Sequence, residues 1–310
     1  MNIAVTGAGG FVGAHLCAHL AACGDRITAT DRDAPARDRC QNEALDVTDA
    51  AAVDRFFAAQ RFDAVLHLAA IAFVPEAERD PATAMHVNVG GTANVLHAVA
   101  KHQDKARVLV ISSAEVYGAP AAEEMPITEE FAVRPVHAYA FSKWLAEQYA
   151  RFVADREDID LLIARPFSHI GPGQRPVFAA ASFAKQLAEI AAGRQEPIIR
   201  VGDLSAKRDV ADVRDVVRAY RLALEKLPNG AVFNVCSGKE RAIGDILNDL
   251  IELAGIEVRV EVDESRLRAH DIPVIRGAHE YLTRFTGWQP EITWRQTLTD
   301  LFQAWRLGEG

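Results

Sequence analysis

A tyrosine and a lysine in the middle of the chain have the types and spacing that suit proton transfer. Tyr139 and Lys143 stand at positions i and i+4, so they share one face if this stretch is helical. A free tyrosine has a pKa of about 10, and a nearby ammonium group favours its phenolate form. Such a pair is more often a solvated helix face. Here a strand-like run that ends in Ser112 and Ser113 precedes it, which favours chemistry.

A glycine-rich loop near the start of the chain is the second group with chemical meaning. Gly7, Gly10 and Gly13 follow a short apolar run and precede an apolar helix pattern that opens with Phe11 and Val12. The glycines allow a tight turn and a close approach of the backbone, and N–H groups at the helix start face phosphates. This arrangement predicts a cradle for the pyrophosphate of a dinucleotide.

Charged residues after the next two predicted strands bear on which dinucleotide is bound. Asp31 is expected to accept hydrogen bonds from ribose hydroxyls and to repel a 2′-phosphate, which favours NAD. Arg32 either stacks on adenine or pairs with a 2′-phosphate, so NADP stays open. Asp46 and Val47 are expected at the adenine edge. For Asp46 the alternative is the N-cap of the following helix.

Strand and helix signals alternate along the first half of the chain. Strands are predicted at 3–5, 26–30, 64–68, 107–112 and 160–165, and helices at 11–22, 50–60, 81–101 and 139–154. This alternation predicts an α/β, Rossmann-type doubly wound fold with a parallel sheet between two helix layers. The dinucleotide-binding domain is expected over 1–166, with 209–238 returning to it. Residues 167–208 and 239–310 are expected to form a smaller, discontinuous α/β substrate-binding lobe over the carboxyl ends of the strands.

The chain resembles the extended short-chain dehydrogenase/reductases, the NAD-dependent epimerase/dehydratase family, over essentially its whole length. The segments that carry the resemblance are Gly7-x-x-Gly10-x-x-Gly13, Leu68-Ala69-Ala70, Asn88-x-x-Gly91-Thr92, the set of Ser113, Tyr139 and Lys143, and Arg165-Pro166. The resemblance implies NADH or NADPH as cofactor. The cofactor contacts that it implies beyond the glycine loop are Leu68, Ala69, Ala70, Asn88, Ser112 and Pro166.

The family mechanism gives each polar residue an expected role. Tyr139 exchanges a proton with a substrate oxygen that Ser113 holds, while a hydride moves between the substrate carbon and the nicotinamide. Lys143 bonds the nicotinamide ribose and, with the positive nicotinamide, is expected to bring the pKa of Tyr139 toward neutrality. Glu115 is expected to act in catalysis or to bind a sugar hydroxyl.

The second half of the chain resembles the GDP-4-keto-6-deoxy-D-mannose reductases within this family. The segment 165–174 is similar to theirs, although Ser168 stands where they usually carry asparagine. The resemblance implies a GDP-sugar substrate, with Arg208 and Arg268 on the diphosphate. Residues expected around the rest of the substrate are Phe73, Val74, Glu115, Ser168, Phe183 and Lys185, with Phe183 packed on the base and Lys185 at the base or a phosphate.

Residues beside Ser113 bear on the choice of reaction. Ala114 cannot donate a proton, which favours reduction of the C4 ketone of GDP-4-keto-6-deoxy-D-mannose to a GDP-6-deoxyhexose, GDP-D-rhamnose foremost. Glu115 remains available for acid–base work, so a GDP-mannose 4,6-dehydratase or a nucleotide-sugar epimerase is the alternative. A dinucleotide sensor without activity is a third hypothesis, since a fold alone does not prove catalysis.

Composition sets the remaining expectations. The 310 residues are 49% hydrophobic and carry a net charge of −9, which argues against nucleic-acid or membrane partners. The four cysteines fit no metal-ligand spacing and are expected to be reduced, so we expect a cytoplasmic protein with no metal and no targeting segment. A homodimer is expected through a four-helix interface of the 92–101 and 139–154 helices. The apolar residues expected there are Trp144, Leu145, Tyr149, Phe152 and Val153.

Overall fold

The computed structural model describes residues 1–266 and 272–308. Within these ranges the strands are β1 (Asn2–Thr6), β2 (Arg26–Asp31), β3 (Gln41–Ala44), β4 (Ala64–His67), β5 (Arg107–Ile111), β6 (Leu161–Pro166), β7 (Ser168–Ile170), β8 (Ile198–Val201), β9 (Lys207–Asp212), β10 (Val232–Val235), β11 (Glu240–Ala242), β12 (Arg259–Val262) and β13 (Val274–Ile275). The α-helices are α1 (Phe11–Ala22), α2 (Ala50–Ala59), α3 (Val74–Arg79), α4 (Pro81–Met85), α5 (Gly91–His102), α6 (Ala138–Glu157), α7 (Ala179–Ala191), α8 (Val213–Lys226), α9 (Ile243–Ala254), α10 (Glu280–Thr286) and α11 (Trp294–Leu307). Among these helices, none combines the length and apolar character that a membrane crossing requires.

A parallel sheet forms the centre of the large domain and confirms the predicted fold class. Across the described part of the chain its strand order is β10-β6-β5-β4-β1-β2-β3, and every neighbouring pair is parallel. Strand β4 is buried along its whole length, as is usual for a parallel strand covered on both faces. Because the strand order reverses between β1 and β4, a crevice for a ligand opens at the carboxyl ends of these two strands.

Helices cover both faces of this sheet. On one face α1 and α8 pack through Leu16 and Tyr220, and the opposite layer of α2, α5 and α6 is centred on Phe57. Trp288, which follows α10, is fully buried in the first of these cores. This part of the predicted 239–310 lobe therefore packs on the sheet domain, because its large apolar side chain is buried there.

The smaller lobe has a core of its own. Helices α7, α9 and α11 pack around β8 through side chains that include Leu187, Leu250 and Leu301. Strand β9 pairs with β7, β11 and β13, and β12 pairs with β8. The sequence predicted that the chain returns to the large domain at residue 209. Because β9 lies in this second sheet, the return begins instead at α8.

The helix predicted over 81–101 is interrupted. A π-helical turn, His86–Gly90, separates α4 from α5, and such turns are frequent at functional sites. The turn carries Asn88, whose side chain accepts a hydrogen bond from Ile71 N and donates one to Ser142 Oγ, both at 2.8 Å. The apolar pattern alone does not distinguish a π turn from an α turn, so the sequence missed it.

A buried ion pair joins α6 to the sheet. Arg165 on β6 donates from Nε to Glu147 Oε1 (3.0 Å) and from Nη2 to Glu147 Oε2 (2.6 Å), and the two side chains are 5% and 0% exposed. The Ser112 hydroxyl also donates to Glu147, and the guanidinium lies 4.9 Å from the centre of the Tyr117 ring. Burial of both charges is tolerated because each has hydrogen-bond partners.

Substitution of Glu147 by alanine tests this pair. We expect Glu147→Ala to lower the free energy of unfolding by about 3–5 kcal/mol, because the Arg165 charge stays buried without its partner. Urea unfolding followed by circular dichroism measures the change. Glu157→Ala, at the exposed end of the same helix, is the matched control and should change stability little. Equal stability of the two variants would contradict the assignment.

Candidate active site

The loop between β1 and α1 adopts a backbone conformation that only glycine allows at two positions. Gly7 has φ +72°, and a Cβ there would lie 2.6 Å from Ala69 N. A Cβ on Gly13 would lie 2.5 Å from Gly7 O. Helix α1 begins after Gly10 without a side-chain cap, so its first-turn N–H groups, those of Phe11 and its neighbours, are available to a phosphate.

Two side chains hold the outer side of this loop. Asp31 Oδ2 accepts a hydrogen bond from Gly9 N (3.0 Å), which places the carboxylate where the sequence predicted ribose recognition. Arg37 donates from Nε to Ala8 O (2.8 Å) and from Nη2 to Gly9 O (2.7 Å). The sequence analysis missed Arg37, because nothing in the local pattern shows that the loop after β2 folds back onto the glycines.

Asp46 and Val47, the two residues predicted at the adenine edge, follow β3. The Asp46 side chain is exposed and the Val47 side chain is buried. Asp46 accepts hydrogen bonds from Thr48 N and Thr48 Oγ1, and these bonds lower the pKa of the Asp46 carboxyl. The N-cap of α2 is Asp49, which accepts from Ala52 N (3.0 Å), so the alternative role of Asp46 as N-cap is wrong. Val47 is 5% exposed and packs in the core beside α5.

Other predicted cofactor residues meet at the carboxyl edge of the sheet. The 68–70 loop follows β4 at this edge, and Pro166 is the last residue of β6. Ser112 donates its hydroxyl to Glu147, and the Asn88 amide, 1% exposed, bridges two neighbouring segments. The polar side-chain atoms of Ser112 and Asn88 are thus bonded within the protein, and their predicted contact with the cofactor stays a prediction.

Ser113, Tyr139 and Lys143 lie together above this edge. The Tyr139 phenol faces Ser113 and is only 8% exposed. Burial raises the pKa of Tyr139 to about 12, the Ser113 bond lowers it, and the Glu115 charge raises it further. In the protein alone burial dominates, and the shift toward neutrality expected beside a bound nicotinamide stays a prediction. Tyr139 is therefore protonated at pH 7, the form that a proton donor requires.

Lys143 lies one turn after Tyr139 and is 7% exposed. Burial lowers the pKa of its ammonium to about 8, and the Glu147 charge opposes this shift. Within the described ranges no side chain accepts a hydrogen bond from the ammonium. Its donors are therefore available to a ribose hydroxyl, as the family mechanism implies.

His137 is a site residue that the sequence analysis missed. Its Nδ1 accepts from Ala140 N (3.2 Å), so His137 caps α6, and its Nε2 lies 3.1 Å from Glu115 Oε2. The imidazole is nearly parallel to the Tyr139 ring, with centres 6.1 Å apart. Glu115 N in turn donates to Ser113 Oγ (3.2 Å). The helix N-terminus could be predicted, but histidine is not among the usual capping residues.

The predicted substrate residues lie in the loop before α3 and on strands β7 and β9 of the smaller lobe. Phe73 packs edge-to-face on Phe178 with ring centres 5.7 Å apart, and Val74 begins α3 beside it. Ser168 is exposed at the start of β7. Arg208, half-buried on β9, donates to two backbone carbonyls, those of Lys207 and Ile272.

Two further substrate predictions need correction or restriction. Phe183 is 2% exposed in the lobe core, so its ring is used in apolar packing and does not present a face to a base. Lys185 is exposed, with its ammonium 5.5 Å from the centre of the Trp305 ring. Arg268 lies outside the described residues.

Comparison with known proteins identifies the family. Residues 3–236 match the model of the NAD dependent epimerase/dehydratase family. A GDP-6-deoxy-D-mannose reductase of Pseudomonas aeruginosa is 39% identical over 301 residues, which cover 97% of this chain and 96% of that protein. A probable UDP-arabinose 4-epimerase of Arabidopsis thaliana is 29% identical over 95% of this chain and 80% of its own. The solved structure of RMD from Pseudomonas aeruginosa complexed with NADPH has a TM-score of 0.90 at 36% identity, covering 99% of this chain and 100% of that one.

The chain therefore belongs to the NAD-dependent epimerase/dehydratase family, as its motifs predicted. It is an NAD(P)-dependent enzyme, and the predicted cofactor class is confirmed. The glycine loop and the uncapped start of α1 fit a dinucleotide pyrophosphate, and Asp31 lies beside the loop.

The pKa of Lys143 predicts an alkaline limb in the pH profile. The ammonium is charged below about pH 8 and loses its charge as the pH rises through that value. We expect kcat/KM to fall along this limb, because a neutral lysine no longer favours proton transfer at Tyr139. In Lys143→Arg the guanidinium keeps its charge, so the residual activity should lack the limb. An unchanged limb in this variant would assign it to another group.

Proposed function

We propose that this enzyme reduces the C4 ketone of GDP-4-keto-6-deoxy-D-mannose with NADH or NADPH, giving a GDP-6-deoxyhexose, GDP-D-rhamnose foremost. The observation that carries the proposal is the buried Tyr139 phenol, with Ser113 and Lys143 at the same edge of the sheet; burial raises the pKa of this phenol to about 12, so it is protonated at pH 7. The similarity to a named GDP-6-deoxy-D-mannose reductase over 97% of the chain supports the choice of substrate.

The polar side chains have distinct tasks in this reaction. The reduced nicotinamide supplies the hydride when it is bound. Ser113 holds the ketone oxygen, and Tyr139 donates a proton to it as negative charge develops there. Lys143 orients the nicotinamide ribose and stabilises the phenolate that remains on Tyr139. The three residues thus act on the ketone oxygen and on the nicotinamide ribose, both at the carboxyl edge of the sheet.

The nucleotide end of the substrate is assigned to the lobe. A cavity of about 310 Å³ lies between α7 and β8 and is lined by Gln186, Arg200 and Arg266, among others. Arg266 donates to Ser182 Oγ (3.0 Å), which joins this cavity to the face of α7 that the sequence resemblance indicated. Arginine and amide groups of this kind suit a nucleobase and its diphosphate, and Arg208 on β9 is assigned to the diphosphate.

The runner-up is an epimerase or a 4,6-dehydratase on the same scaffold. Sugar epimerases are among the similar proteins. Ala114 is buried and offers no proton, whereas Glu115 is paired with His137 beside the phenol. A dehydratase needs further acid–base groups, and this pair is the candidate for them, so the reaction must be tested directly.

Cofactor stoichiometry separates these reactions. We expect one NADH or NADPH to be oxidised for each GDP-4-keto-6-deoxy-D-mannose consumed, with the product C4 configuration assigned by NMR. Tyr139→Phe should lower kcat by about 10²–10⁴-fold because the general acid is lost. Tyr281→Phe, a half-buried tyrosine on α10, is the matched control. Product formation without net oxidation of cofactor would contradict reduction, and cofactor binding without turnover would indicate a sensor.

We infer that the enzyme is a homodimer that works in the cytoplasm. All four cysteines are free thiols, in keeping with that compartment. Phe141 and Phe152 on α6 are 41% and 54% exposed, and Leu145 lies between them at helical spacing. Val153 is 2% exposed in the sheet core, so it does not belong to the predicted interface. Exposed aromatic side chains on one helix face suit a partner surface.

The dimer interface predicts a change of mass on mutation. Phe152→Asp places a charge in the interface and should convert the dimer to a monomer, measured by light scattering after size-exclusion chromatography. Phe285→Asp, which changes another exposed aromatic residue, on α10, is the control and should leave the mass unchanged. A monomeric wild-type protein would refute the interface.

A further inference from the structure

The residue that caps helix α6 also reaches a carboxylate beside the active site. His137 Nδ1 accepts a hydrogen bond from Ala140 N (3.2 Å), so the ring proton is on Nε2, which lies 3.1 Å from Glu115 Oε2 and donates to it. Serine, aspartate and asparagine are the usual residues at such a cap, and their side chains end before the position of Nε2. The imidazole therefore adds a link to Glu115 that the cap itself does not need.

The start of α6 is held from a second element as well. The N–H groups of a first helical turn have no partner within the helix. Glu78 on α3 accepts a hydrogen bond from Ala138 N (2.5 Å), while His137 accepts from the N–H two residues further on. Since these two bonds fix the helix start, the contact made by Nε2 acts on the orientation of the Glu115 side chain.

Glu115 lies beside the two residues assigned to the ketone oxygen. Its N–H donates to Ser113 Oγ (3.2 Å), which caps the short turn Ala114–Tyr117 that carries it. Burial raises the pKa of the Tyr139 phenol most, and the Glu115 charge raises it further, so the carboxylate is close to the phenol. The Glu115 side chain is 29% exposed and the His137 side chain 17%. The carboxylate is thus accessible to a ligand, whereas the ring that orients it is largely covered.

The chemistry of the proposed substrate indicates which of its groups meets this carboxylate. Of the two carbons next to the C4 ketone, C3 bears a hydroxyl, whereas C5 bears the ring oxygen, a hydrogen and the methyl group. With the ketone oxygen at Ser113 and Tyr139, an acceptor beside both residues faces the hydroxyl on C3. A carboxylate has about four acceptor sites, and hydrogen bonds to a charged acceptor are strong. A carboxylate that is already oriented loses little side-chain entropy on binding.

We propose that His137 is a positioning residue that holds Glu115 as the acceptor for the C3 hydroxyl, and that this pair makes the enzyme selective for a sugar with a hydroxyl next to its ketone. The inference rests on the proposed function, because it concerns a 4-ketosugar substrate. It assigns no proton transfer to either residue. A site built to bind a hydroxyl rejects an analogue without it, since the protein acceptor then loses its partner.

The analogue that lacks the C3 hydroxyl, GDP-4-keto-3,6-dideoxy-D-mannose, measures this selectivity. We expect the wild type to reduce GDP-4-keto-6-deoxy-D-mannose with a kcat/KM about 10–100-fold above that for the analogue. Equal kcat/KM for the two compounds would overturn this inference and leave the proposed function intact. Turnover of neither compound would count against the proposed function.

Two substitutions of His137 separate the orientation of Glu115 from the capping of α6. His137→Ser keeps a cap and removes the Nε2 donor, so the selectivity should fall toward unity through a higher KM for the hydroxylated substrate, at a melting temperature near that of the wild type. His137→Gln places an amide N–H near the position of Nε2 and weakens the cap, so it should keep much of the selectivity at a lower melting temperature. The opposite pattern would show that His137 only caps the helix, and full selectivity in both variants would also overturn the inference.

A double variant shows whether the two residues act as one unit. Glu115→Gln keeps the shape of the side chain and removes its charge, so it should reduce the selectivity as His137→Ser does. The variant with both changes should lose no more than either single variant, because the same hydrogen bond is removed. Additive losses would contradict the inference. His19→Ser, in the last turn of α1, is the matched control and should change neither the selectivity nor KM.

Discussion

The active site depends on one buried carboxylate. Glu147 on α6 accepts two hydrogen bonds from Arg165 on β6 and one from Ser112 at the end of β5. Through these bonds the helix that carries Tyr139 and Lys143 is fixed to the two strands whose ends form the site. The geometry of proton transfer follows from this attachment, because a catalytic group must be held within a fraction of an ångström of its working position.

Much of this arrangement could be predicted, because local sequence determined it. The glycine spacing requires a backbone that approaches closely at Gly7 and Gly13, and the structure shows that larger residues would clash at both positions. Tyr139 and Lys143 share a helix face because helical spacing requires it. The strand–helix alternation led to the parallel sheet, and the family motifs led to the cofactor class.

What the sequence could not provide depends on contacts between distant segments. Arg37 reaches the glycine loop from a neighbouring strand connection, and His137 meets Glu115 only after α6 docks. Burial of a side chain, which the sequence does not show, bears on two further predictions. Phe183 is an apolar residue on an amphipathic helix, and only the packed lobe shows that its ring faces inward. The pKa of Tyr139 was expected to move toward neutrality beside Lys143 and a bound nicotinamide, and in the protein alone desolvation of the phenol raises it to about 12.

Aromatic side chains join the first helix to the segment around β7. Phe11, in the first turn of α1, stacks on His169 of β7 with ring centres 6.2 Å apart, and His15 Nε2 donates to Pro172 O (2.8 Å). Burial lowers the pKa of both imidazoles, so these contacts are made by neutral rings near pH 7. Helix α1, which follows the glycine loop, and strand β7, the first strand of the smaller lobe, are thus packed together through these side chains. A substitution at His169 should therefore change the KM for the dinucleotide and the KM for the sugar substrate together.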